Sequence, residues 1–81
     1  MTHDRYPRGE GTVRPFRLWN ANLKAPVRWR YYSDKRRAHM GALYECRWAK
    51  IGTTIEVYDC TTGRLLGQYT LHPTTITYRE A

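Results

Sequence analysis

Only one stretch of this chain, residues 33–50, has both the period and the end signals of a helix; the segments on either side alternate in twos, like strands. Ser33 and Asp34 supply the start. A serine at the N-cap accepts a bond from an orphan N–H, and an aspartate in the first turn suits the positive end of the helix dipole. No proline interrupts residues 35–50, only Gly41 opposes helix, and Gly52 stands where a stop is expected. At about 100° per residue, Ala38, Ala42, Cys46 and Ala49 fall on one side, with His39 and Leu43 beside them. Most of these are small, so the helix axis is expected to lie close to a sheet. Arg36, Arg47 and Lys50 share an adjoining arc near Met40, and Tyr44 and Trp48, four apart, share a third edge. Gly41 costs the helix roughly 1 kcal/mol relative to alanine, which points to close packing at its centre.

Two aromatic, arginine-rich strands precede the helix. In residues 16–20, Phe16 and Leu18 point one way and Arg17 and Trp19 the other. A loop to Pro26 follows. In residues 27–32, Val27, Trp29 and Tyr31 share one face while Arg28, Arg30 and Tyr32 share the other. Paired as a hairpin, these strands would gather Arg17, Arg28 and Arg30 on one face, with Trp19 and Tyr32 among them.

After the helix, residues 53–59 read as a strand with Ile55 and Val57 inward and Thr54, Glu56 and Tyr58 outward. Residues 59–63 carry turn chemistry ending in Gly63. Residues 64–71 return, with Leu65, Tyr69 and Leu71 on one face and Gly67 marking a bulge or a close approach of another backbone. His72-Pro73 breaks the run, and residues 75–79 form a last short strand with Ile76 and Tyr78 on one side. The expected fold is α+β: a mainly antiparallel sheet of four to five strands with one helix on one face. It occupies one small domain at residues 14–81. Residues 1–13, with Pro7, Gly9 and Gly11 and no apolar period, read as a flexible basic arm.

Charge narrows the function. The chain carries +7, and the excess is confined to its front: residues 1–50 hold twelve bases and four acids, whereas residues 51–81 hold two and three. Eleven of the fourteen bases are arginine, whose planar fork suits phosphate and carboxylate and stacks on rings. Bases stack on aromatic rings while arginines hold phosphates, so Arg17, Arg28 and Arg30 with Trp19 and Tyr32 form one candidate nucleic-acid surface, and Arg36, Arg47 and Lys50 a second. The alternatives are an acidic face of a protein, anchored by the tryptophans and tyrosines, and a second copy of the chain that completes a modest core.

Enzymatic and cofactor readings find little support. No pair among His3, His39, His72, Cys46 and Cys60 has Cys-x-x-Cys or His-x3-His spacing, so no metal is expected. Paired carboxylates and a glycine-rich phosphate loop are lacking, and no cofactor is expected. With one helix there is no helix-turn-helix. No segment approaches the roughly 20 apolar residues of a membrane span, and no leader follows Met1, so a cytoplasmic protein with reduced thiols is expected. The order strand–strand–helix–strand over roughly residues 14–60, with Ser33-Asp34 opening an alanine-bearing helix, resembles small bacteriophage host-takeover proteins of the type that inhibit host RNA polymerase. That resemblance implies a phage or mobile-element accessory protein directed at host machinery, and carries over no functional residue.

Overall fold

A computed structural model describes residues 14–81, apart from the side chains of residues 28–30; the arm read at residues 1–13 lies outside the described residues. In chain order it contains β1 (Phe16–Asn20), β2 (Ala25–Tyr32), α1 (Lys35–Arg47), β3 (Thr54–Asp59), β4 (Arg64–Leu71) and β5 (Ile76–Glu80). One sheet orders the strands β2-β1-β3-β4-β5, each antiparallel to its neighbours. The α+β architecture is as expected, with the fifth strand present. Because β2 and β3 both run antiparallel to β1, they are parallel to each other, and α1 joins them across one face.

The helix begins one residue later than its start signal suggests. Asp34, with extended backbone at φ −119° and ψ 126°, is the N-cap, and its Oδ1 accepts from the Arg36 N–H at 2.9 Å. No carboxylate is left for the first turn, which Lys35, Arg36 and Arg37 occupy against the dipole. Regular helix ends at Arg47 with Trp48 as C-cap. Gly52, at φ 93°, serves the turn into β3 and not the helix end.

Ala38, Ala42 and Cys46 are fully buried on Leu18, Val27, Ile55 and Val57, with Phe16, Tyr32, Leu66, Tyr69, Leu71 and Ile76 around the margin. The small helix face brings α1 close to the sheet. At Gly41 there is no room for a side chain: a Cβ there would stand 2.6 Å from Cζ of Tyr32. Gly67 plays the same part for β5, where a Cβ would stand 2.6 Å from Cζ of Tyr78.

Two strand irregularities change which residues share a face. Val57 lies opposite Gly67 but Tyr58 lies opposite Leu65, so Leu66 is an extra residue. That bulge turns Leu66 toward the helix and leaves Leu65 on the far face with Tyr58, not with Tyr69 and Leu71 as the alternation predicts. In β2, Tyr31 pairs with Arg17 but Pro26 pairs with Trp19. The slip breaks the expected alternation: Val27 and Tyr32 both reach the helix-side core, and Tyr31 joins Arg17 on the other face. Pro26 is accommodated because β2 is an edge strand.

Candidate docking surface

The strand patch of arginines and rings does not assemble as expected. Arg17 is only 5% exposed; its guanidinium lies 4.2 Å from the centroid of Tyr31, and its Nε donates to the Arg14 carbonyl at 3.5 Å. Trp19 does share its face, packed with Tyr58, Cys60 and Leu65. Glu56 is buried there too and accepts from the Tyr58 hydroxyl at 3.0 Å. Tyr32 is on the opposite face under α1, and burial, followed by the Glu45 charge, raises its hydroxyl pKa. The slip in β2 put it there. The side chains of Arg28 and Arg30 lie outside the described residues.

The helix tells a different story. Arg36, Arg47 and Lys50 are exposed as expected, and Lys35 and Arg37 with them. Between these cations lie Met40, Leu43, Tyr44 and Trp48, all exposed, Tyr44 by 60% and Trp48 by 70%. The inner face of α1 therefore carries two alanines and a cysteine, while its outer face carries the large apolar side chains. Tyr44 and Trp48 meet edge-on at 6.4 Å, and the Arg47 guanidinium stands 5.8 Å from the Trp48 ring. The stripe runs on past the helix end to Ile51 and, on the β1–β2 turn, to Leu23.

Sequence reasoning noticed Met40, Tyr44 and Trp48 but missed Leu23 and Ile51, which sit in turns outside any periodic segment. One signal was available for the helix. When small residues fill the only arc that fits a sheet, the large ones must face outward.

The remaining reactive groups are committed elsewhere. His39 Nδ1 lies 2.9 Å from the Tyr69 hydroxyl, and the ring meets Tyr69 and Tyr78 edge-on. Burial, then the Lys35 charge, lowers its pKa. His72 Nε2 is 2.8 Å from Thr77 Oγ1. Cys46 and Cys60 are free thiols, each fully buried, in separate clusters on opposite faces of the sheet. Among the described residues no three of His, Cys, Asp or Glu gather as metal ligands, and no helix is long and apolar enough to cross a membrane. Comparison of the chain with protein-family models, curated proteins and solved structures finds no match.

Proposed function

We propose that this protein is a non-catalytic binding module that docks through the outer face of α1 onto an acidic, apolar-bearing protein surface, as an adaptor or inhibitor does. The observation that carries this reading is the inversion of the helix, with small residues buried and Met40, Leu43, Tyr44 and Trp48 exposed. Tryptophan, tyrosine and arginine are the residues that dominate binding energy at protein interfaces. The chemistry of the rim agrees. Lys35, Arg36 and Arg37 crowd the positive end of the dipole, an arrangement that an acidic partner relieves.

Nucleic acid remains the second reading, because the same cations suit phosphate. Two observations weigh against it. Met40 and Leu43 offer nothing to a phosphate backbone, and Arg17 and Tyr32, two of the five residues of the expected stacking face, are withdrawn. The test is capture from bacterial lysate with and without nuclease, washed at rising salt. The proposal expects one protein retained after nuclease and still held at about 1 M salt, where the screening length is about 3 Å. Loss of all capture on nuclease treatment would transfer the function to nucleic acid.

A further inference from the structure

We infer that Leu23, Trp48 and Ile51 frame a preformed anchor site that takes one large apolar side chain from an acidic segment of the partner; the inference rests on the protein-directed reading above. The three side chains border a groove of about 590 Å³ at the C-terminal end of α1, lined also by Asn20, Asn22 and Thr53. Leu23 is 74% and Ile51 65% exposed. Single apolar residues on a surface are ordinary, but three converging on one groove, continuous with the Tyr44 side of the helix, are an apolar patch.

The groove is held rigidly. Asn22 bridges the two turns that form its walls: its Nδ2 donates to the Gly52 carbonyl at 3.1 Å, and its Oδ1 accepts from the Thr54 N–H at 2.7 Å. Asn20 Oδ1 accepts from the N–H groups of both Asn22 and Leu23 at 3.0 Å. The Gly52 N–H donates to Leu71 at 2.8 Å, tying the second turn to the sheet. Leu23 and Ile51 are thus displayed on hydrogen-bonded backbone, and a ligand need order only their side chains there. Lys24, beside Leu23, is held at φ 54°, a left-handed conformation in which glycine would be relaxed.

Charge selects the occupant. No carboxylate lines the groove, while Lys50 lines it and Lys24 and Arg47 adjoin its walls in the chain. A second copy docking through its front half, where the positive excess lies, would bring like charge to this rim. A nucleic acid would satisfy the lysines and leave Leu23 and Ile51 uncovered. An acidic segment with one apolar anchor satisfies both.

The test uses backbone amide NMR with three probes: a short Asp/Glu peptide carrying one central phenylalanine, the same peptide with serine in its place, and a single-stranded oligonucleotide. The phenylalanine peptide should shift the amides of residues 20–24 and 48–53 and bind roughly tenfold or more tighter than the serine peptide, the gain from burying one aromatic side chain. Leu23→Ser and Ile51→Ser, both at exposed positions that leave the core intact, should each remove most of that preference. Equal affinity of the two peptides overturns the anchor site. So do shifts confined to residues 36–47, although docking on the helix face then stands. Binding of the oligonucleotide with no peptide bound overturns both.

Discussion

Replacing Gly41 by alanine sets two known effects against each other at one atom. Alanine in a helix interior is favoured over glycine by about 1 kcal/mol. Here the added Cβ would stand 2.6 Å from Cζ and 3.1 Å from Cε2 of Tyr32, and closer still to its hydroxyl oxygen. The ring is partly buried at the margin of the core, so its hydroxyl end must shift and give up part of its packing to make room. Overpacking of this kind costs about 1–3 kcal/mol, so the collision outweighs the propensity gain and the net change is a loss of up to about 2 kcal/mol. In a domain this small, each kcal/mol moves the melting temperature by about 4–8 °C. Thermal and urea melts should be run on a double-mutant cycle with Tyr32→Leu, which removes the colliding end of the ring. Gly41→Ala should destabilise the wild type and be neutral or stabilising in the Tyr32→Leu background, a coupling of at least about 1 kcal/mol. Equal stabilisation in both backgrounds would refute the close helix–sheet approach.

Ala42→Leu should cost roughly 1–3 kcal/mol, since Ala42 is fully buried against the sheet; an unchanged melting temperature would mean the buried face is wrongly assigned. His39 is held below its ordinary pKa by burial and by Lys35, so the folded state favours the neutral ring. Its contribution is full above the unfolded value near 6.5 and is lost as pH falls through that value toward the lower folded one. Urea midpoints should therefore fall with acidification more in the wild type than in His39→Gln, and parallel pH profiles would contradict this. Cys46 and Cys60 should resist thiol reagents in the folded protein and react together on unfolding, because both are fully buried and burial raises the Cys46 pKa; rapid native-state labelling would count against the packing.

Local pattern was enough for the existence of the helix, for the inward pair Ile55 and Val57, and for a bulge beside Gly67; what comes close to Gly67 is the Tyr78 ring and not another backbone. What local pattern could not supply was register. The alternation of residues 27–32 assumes regular pairing, yet the slip between Arg17 and Trp19 sends Tyr32 under the helix and Tyr31 over Arg17. Likewise the extra Leu66 moves Leu65 to the other face. The slip in β2 has no signature in the residues involved, because pairing with a neighbouring strand decides it; Gly67 marks the bulge in β4 but not which residue is the extra one. The helix start was read one residue early: the cap was assigned to Ser33 and the first turn to Asp34, both competent caps, and only the backbone shows that Asp34 takes the role. The candidate site divides the same way. The exposure of Arg36 and Arg47 was legible from helical period; Lys50 is exposed too but lies past the end of α1, and the burial of Arg17 depends on a ring one strand away.

The most direct measurement of the docking reading compares two triple variants of the outer helix face in the nuclease-treated capture assay and in oligonucleotide binding. One variant removes the apolar stripe (Met40→Ser, Tyr44→Ser, Trp48→Ser), and the other removes the cations (Arg36→Ser, Arg37→Ser, Arg47→Ser). All six positions are exposed, so both variants should keep the fold. If α1 docks on a protein, the apolar triple abolishes capture, since anchors of this kind are each worth about 2 kcal/mol or more, and the cationic triple mainly slows association and changes its salt dependence. If instead the apolar triple binds as the wild type does, while the cationic triple loses oligonucleotide binding and lowers its salt slope by up to about three, the surface reads phosphate and the account is contradicted.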